Sequence, residues 1–267
     1  MICPYCHSEV SDGTKYCPEC GATLYTAREA DSLQTAANAG VLLGQAARKA
    51  RLEAVYTPDQ IIGDRAYNGI LLGVLLWGLL VNVLLCTFVG SVYRWMSPVA
   101  FVVFYLVCAV AGILIAGKSR KPLISFLGYN LVVIPFGLLI STLVDAYGGI
   151  DAEIVRYAFL YTLLITVGMS GAVLAFPQFF AKLGGALLGV LIGLIVCELV
   201  LLIAGIPQQV TDWIAAGLFS LYIGYDIYRS QQFAKTVDNA VDCALDIYLD
   251  IANLFVRLLQ IMGKRRK

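Results

Sequence analysis

Four cysteines near the start of this 267-residue chain and three aspartates near its end have types and spacings that point to chemistry. Cys3, Cys6, Cys17 and Cys20 form two Cys-x-x-C pairs in CPYCHSEVSDGTKYCPECG, with ten residues between Cys6 and Cys17. Two such pairs close a tetrahedral four-thiolate Zn2+ site, each pair folding as a tight knuckle. Four thiolates leave no position for water, so the ion is structural, one per chain, and His7 is surplus to it. Two disulfides are the competing reading, disfavoured by the cytosolic placement argued below.

Residues 242–262 read DCALDIYLDIANLFVRLLQIM. Asp242, Asp246 and Asp250 fall four residues apart, so a helix stacks them in one slowly drifting stripe, with Asn253 on nearly the same face. Carboxylates within a membrane are costly and face a bundle interior or a water-filled path. The alternative is a surface helix with a solvated acidic face. Ile247, Leu249, Ile251, Leu254 and Phe255 surround the stripe with apolar surface and argue against it. Arg257 is expected to balance Asp250 or Asn253 by helical spacing. Two further acids interrupt apolar runs: Asp226 in LYIGYDIYRS, one turn from Arg229, and Glu198 in VCELV. Glu198 reads either as a functional polar site or as a neutral structural acid.

The elements that must hold these residues are membrane helices. The chain is 60% hydrophobic and 14% charged, with a mean hydropathy of +0.80, against apolar usage near 45–50% in soluble domains. A formal net charge of +1 offers nothing for nucleic-acid binding. Six apolar runs precede the acidic helix, at 67–89, 98–117, 122–144, 154–176, 183–206 and 213–228. Each is close to the ~20 residues that cross the hydrocarbon core, and each must be helical because lipid satisfies no backbone group. The expected fold is therefore all-α, a multi-pass integral membrane protein. Its divisions are a zinc ribbon at 1–25, an Ala-rich helical linker at 26–66 and a membrane domain at 67–267. Met1-Ile2-Cys3 leaves no room for a signal peptide ahead of the cysteines. Cys86, Cys108, Cys197 and Cys243 stand singly in apolar runs and read as small buried hydrophobes.

Basic residues orient the spans. Arg48, Lys49, Arg51 and Arg65 precede the first run. Lys118, Arg120 and Lys121, then Lys182, then Arg229 and Lys235, follow the second, fourth and sixth. The loops after the third and fifth hold Asp145, Asp151 and Glu153 against Arg156, and Asp212 alone. The expected N-terminus is cytoplasmic. The basic tail 264–267 conflicts with this if the last helix crosses; that helix either crosses and breaks the rule or re-enters.

The run ALDIYLDIANLFVRLLQIMG, residues 244–263, resembles the ending of Bax inhibitor-1 (transmembrane Bax-inhibitor-motif) proteins, which read like A-L-x-L-Y-L-D-F-I-N-L-F. FSLYIGYDIYRSQQF resembles that family's sixth span, with its Tyr-Asp pair. The N-terminal module is similar to the short ribbons at the front of many prokaryotic membrane and regulatory proteins, which implies a prokaryotic cytoplasmic membrane. The Bax inhibitor-1 resemblance implies six transmembrane helices around a central seventh and a pH-sensitive calcium leak governed by an aspartate pair. By motif position that pair is Asp226 and Asp250. Two carboxylates in a partly dry site tend to share a proton, and when deprotonated they are hard ligands suited to Ca2+. Asp246 departs from the family pattern and adds a third carboxylate one turn away. The family's basic residue near the start of the third span corresponds to Arg120 or Lys121.

The expectation is thus a non-enzymatic, proton-modulated calcium channel, partnered by the lipid bilayer and Ca2+. One alternative is a non-transporting scaffold whose ribbon binds a cytosolic protein. Another is an intramembrane aspartyl protease, which shares a Tyr-Asp and a second Asp on successive spans. Its Gly-x-Gly-Asp motif is missing, since Asp250 follows Tyr248-Leu249. His7 is the one histidine, so no Ser/His/Asp set is available.

Overall fold

The structure is a computed structural model and describes residues 8–11, 18–19, 56–92, 95–204 and 209–264. The cysteines Cys3, Cys6, Cys17 and Cys20 and most of the expected linker lie outside the described residues. The chain divides into two units, Met1–Ala54 and Val55–Lys267, and the helices described below lie in the second.

Helix starts follow local chemistry. α1 (Asp64–Phe88) opens after Gly63 with Asp64 in its first turn, where a carboxylate meets the unpaired N–H groups. α2 (Pro98–Lys118) begins behind Ser97, whose Oγ accepts the Ala100 N–H at 3.4 Å. Proline at the first helical position starts α2, α3 (Pro122–Ala146) and α5 (Pro177–Ala181). The others are α4 (Glu153–Ala175), α6 (Gly184–Ile203), α7 (Gln209–Ser230) and α8 (Val237–Lys264). From residue 56 onward, every regular element among the described residues is helical.

By length and composition, α1, α3 and α4 can cross a membrane, and shorter apolar stretches occupy 103–117 in α2 and 184–198 in α6. Their outer faces carry Leu76, Leu80, Val107, Leu164, Val167 and Ile195, all exposed. Apolar surface of that extent suits hydrocarbon rather than water. Within α4, Thr162, Thr166 and Ser170 each donate a hydroxyl to the carbonyl four residues back at 2.8 Å. The helix thus satisfies its own polar side chains.

α8 occupies the middle. It touches α1, α3, α4 and α7, and none of its side chains from 237 to 263 is exposed. Its direction is set by contacts at both ends. Ser125 in the first turn of α3 donates to Asp238 in the first turn of α8 at 2.6 Å. Tyr67 in the first turn of α1 donates to the carbonyl of Ser230, the last residue of α7, at 2.9 Å. At the far end Arg257 meets Asp212 in the first turn of α7, and a side chain on Gly263 would strike the ring of Tyr147, just past α3. α8 is therefore one unbroken helix of 28 residues running antiparallel to α7 from one end of the bundle to the other. Among the described residues it does not turn back on itself.

Several boundaries differ from the sequence expectation. A short helix not expected from the sequence, α5, opens at Pro177 between the fourth and fifth runs, and α6 covers the fifth from Gly184. α7 starts at Gln209, which brings Asp212 out of the expected loop into a helix, and it ends at Ser230, which takes Arg229 into the bundle. α8 begins at Val237 rather than Asp242. Of the four single cysteines, Cys243 is buried as expected, Cys86 and Cys108 are half-buried, and Cys197 is exposed on α6.

α2 is held by α3 through small residues. A Cβ on Gly128 would stand 2.7 Å from the Gly112 carbonyl oxygen and 2.8 Å from the Ala116 nitrogen. These are backbone atoms that cannot swing aside, as small-residue packing between membrane helices requires. Gly128→Leu is expected to cost at least about 1–3 kcal/mol by overpacking, and thermal unfolding in detergent measures it. A melting point equal to wild type would show that α2 sits elsewhere.

Candidate functional site: ionisable side chains along α8

The four-residue spacing of aspartates extends one step further than 242–262 indicates. Because α8 starts at Val237, Asp238 joins Asp242, Asp246 and Asp250 on one stripe. Asp238, Asp242 and Asp250 are buried and Asp246 is half-buried, so the stripe faces protein and is not a solvated surface. From Asp238 to Arg257 the helix rises by about 28 Å at 1.5 Å per residue, close to the ~30 Å of a hydrocarbon core.

Two clusters join this stripe to neighbouring helices. In the first, Arg229 of α7 lies between Asp226 on its own helix (Nη1 to Oδ1, 3.4 Å) and Asp246 on α8 (Nη2 to Oδ2, 3.5 Å). Spacing places Arg229 one turn beyond Asp226. The guanidinium is stacked 5.5 Å from the Tyr225 ring and 5.4 Å from that of Phe233, contacts that hold a desolvated cation in place. Asp226 is only 5% exposed. It is thus held inside the bundle beside Arg229 rather than at the water interface. Asp250 sits one turn beyond Asp246, 8% exposed.

The second cluster lies about 16 Å further along α8, eleven residues from Asp246. Arg257 places Nη1 at 2.8 Å from Glu198 Oε1 and 3.0 Å from Asp212 Oδ1, with Nη2 at 2.8 Å from Glu198 Oε2. This is the two-pronged geometry in which arginine binds a carboxylate best. It corrects the expectation that Arg257 balances Asp250 or Asn253. Asn253 instead donates Nδ2 to the Leu249 carbonyl at 2.8 Å. Residues four and seven apart on one helix can approach, but carboxylates on α6 and α7 offered Arg257 a fork that its own helix did not.

Each cluster sets one guanidinium against two carboxylates, so with all groups ionised each carries a formal charge of −1. Such a site in a low-dielectric interior favours uptake of a proton or a cation. The structure thus joins Asp226 with Asp246 through Arg229, and Glu198 with Asp212 through Arg257. The positions read as metal ligands, Cys3, Cys6, Cys17 and Cys20, lie outside the described residues. Sequence reading missed Arg229 as a bundle residue, and it missed Asp212 and Asp238. Asp238 was legible, four residues before Asp242. Asp212 carried only the weaker signal of an acid in a helix's first turn.

The two clusters are separated from a neutral polar set on α1, α3 and α8. Tyr248 donates its hydroxyl to Asn82 Oδ1 at 2.9 Å, and Tyr129 donates to the Val74 carbonyl at 2.8 Å. These aromatics bury their hydroxyls without loss because each finds a partner.

Residues 64–267 match the family model described as "Inhibitor of apoptosis-promoting Bax1", and residues 2–24 match that of a zinc-ribbon domain. An uncharacterized protein of Helicobacter pylori strain J99 is 33% identical over 176 residues, 64% of this chain and 72% of that protein. Another from Helicobacter pylori strain 26695 is 42% identical over 86 residues, 31% of this chain and 36% of its own. One from Campylobacter jejuni is 35% identical over 128 residues, 47% of this chain and 53% of its own.

Proposed function

Because the chain belongs, over residues 64–267, to the Bax inhibitor-1 family, we propose that this integral membrane protein is a passive, non-enzymatic calcium leak whose flux depends on pH. The observation that supports the reading is the burial of Asp226 and Asp250 on α7 and α8, two helices packed along their length, with Asp246 and Arg229 between their turns. In this reading α1, α2, α3, α4, α6 and α7 cross the bilayer and α8 fills their centre. Asp226 and Asp250 share a proton at the end of the bundle where α7 turns into α8. As the proton leaves, their oxygens become ligands for a divalent cation. Asp246 tunes the pair by its field, and Arg229 supplies a cation that touches both Asp226 and Asp246. Calcium uptake by liposomes carrying the purified protein, measured from about pH 6 to about pH 8, tests this; an acid pair tuned toward neutrality sets the window. A wild-type protein that passes no calcium would turn the reading to a scaffold whose ribbon, matched at residues 2–24, recruits a cytosolic protein.

The ribbon is proposed to hold one structural Zn2+ on Cys3, Cys6, Cys17 and Cys20. A module so short has little core, so the metal supplies its folding energy. One zinc per chain is expected by elemental analysis of protein purified without chelators, and Cys17→Ser should lower it to a small fraction while the membrane domain still inserts. The N-terminus is proposed to be cytoplasmic, with residues 145–153 outside. A cysteine at Gly149, where a left-handed turn (φ +88°) joins α3 to α4, should then react with an impermeant reagent added to intact cells. Labelling near Lys118 instead would invert the topology.

A further inference from the structure

The end of the bundle holding Asp226, Arg229 and Asp246 is crossed by the segment leading into α1. The Tyr56 hydroxyl lies 3.1 Å from Nδ2 and 3.4 Å from Oδ1 of Asn239. Asn239 is 1% exposed and stands in the first turn of α8, where its backbone N–H donates to Thr236 Oγ1 at 3.1 Å. The Ile62 N–H donates to the Lys235 carbonyl at 2.8 Å. The Lys235 ammonium sits 4.5 Å over the Tyr67 ring and donates to the carbonyl and Oε1 of Gln231, each at 3.0 Å. Gln231 Nε2 donates in turn to Asn68 Oδ1 at 2.9 Å. Burial holds the Lys235 amine below its ordinary pKa, with Asp64 and then Cys243 opposing that shift.

These bonds tie 56–68 to the turn 231–236, which joins the two helices bearing the carboxylates. The crossing segment is itself stiff. Pro58 fixes one φ, and Thr57 and Gln60 close on each other through Thr57 N–H to Gln60 Oε1 (3.2 Å) and Gln60 N–H to the Thr57 carbonyl (2.9 Å). α8 transmits displacement as a rod, and Asp246 lies only about 10 Å along it from Asn239. A shift of the first turn of α8 therefore moves Asp246 and Asp250 against Asp226 and Arg229.

We propose that residues 56–63 are a strap whose seating on the α7–α8 turn holds this end of the bundle closed, and whose release lets the two helices part at Arg229 and Asp246. The closure does not depend on what passes between the helices; only the calcium readout below rests on the leak reading.

Cys243 reports the state of the strap, because the residue is 5% exposed and its Sγ lies 3.4 Å from the Tyr67 hydroxyl under the turn. Full-length protein in lipid vesicles is treated with N-ethylmaleimide, and the Cys243 peptide is followed by mass spectrometry so that other cysteines do not interfere. Tyr56→Phe, which loses one hydroxyl, is expected to label about fivefold faster. Ile62→Pro removes the N–H that Lys235 accepts, and Ile61 is already extended (ψ 127°), as a residue before proline must be; it should label faster still. Tyr161→Phe, exposed on α4, should match wild type. Calcium uptake by the same vesicles should rise with labelling. Wild-type labelling rates in both strap variants would overturn the strap. Faster labelling with no calcium flux in any protein, wild type included, keeps the strap and removes the leak. Calcium flux with labelling unchanged keeps the leak and removes the strap.

Discussion

Replacing either Asp226 or Asp250 by asparagine is expected to remove most of the pH dependence of calcium uptake into liposomes. Asparagine keeps the shape and removes the titrating proton, so neither single variant retains a shared site. The double variant should add little beyond either single change, since the two carboxylates titrate as one unit. Asp246→Asn should move the profile less and in a different manner. It takes away one of the two carboxylates on Arg229, and the freed guanidinium then turns more fully to Asp226, 3.4 Å away. The carboxylate at Asp226 is thereby stabilised in its charged form, so the profile should shift toward lower pH. Unchanged profiles in both asparagine variants would end the aspartate-pair reading, while a profile in Asp246→Asn that moves to higher pH would show that Arg229 does not serve the pair.

Arg257→Leu should be the most destabilising single change in the bundle. The guanidinium binds Glu198 on α6 and Asp212 on α7, and Asp212 is 1% exposed. Removing one member of a buried ion pair takes compensation away from the charge that stays, at a cost of about 3–5 kcal/mol. The side chains of Arg257 and Glu198 retain 18% and 17% exposure, which places the loss at the lower end of that range. The effect should be largest for α6, whose packing is mainly against α7 and whose grip on α8 runs through this fork. Glu198→Leu placed with Arg257→Leu should recover part of the loss, because two apolar side chains leave less unpaired charge than one carboxylate does. Thermal or denaturant unfolding in detergent, as a double-mutant cycle, measures both. Equal stabilities for wild type and Arg257→Leu would show that the fork contributes no more than an exposed pair.

Much of this protein follows from its sequence alone, for reasons of solvent. Runs of apolar residues as long as a bilayer is thick have one stable solution in lipid, so helix positions could be read within a few residues. α3 was expected at 122–144 and runs Pro122–Ala146. The family was legible in the endings of α7 and α8, and the match over 64–267 bears that out. Aspartates four residues apart in an apolar helix announced a buried stripe, because periodicity assigns a face before any partner is known. Partners were another matter. The sequence showed Arg257 only its own helix, whereas folding brought Glu198 from 59 residues away and Asp212 from 45, with a geometry no intrahelical residue offered. Arg229 read as a loop cation for orienting the chain. It became a bundle residue because α7 continues to Ser230 and two aromatic rings give its guanidinium a place out of water. The crossing of 56–63 over the α7–α8 turn was likewise invisible, since it joins Tyr56 to Asn239 across 183 residues by hydrogen bonds that leave no periodic trace. Faces and spans are local consequences of side-chain type and helical period. Which charge meets which depends on how helices far apart in sequence are packed, and only the tertiary structure decides that.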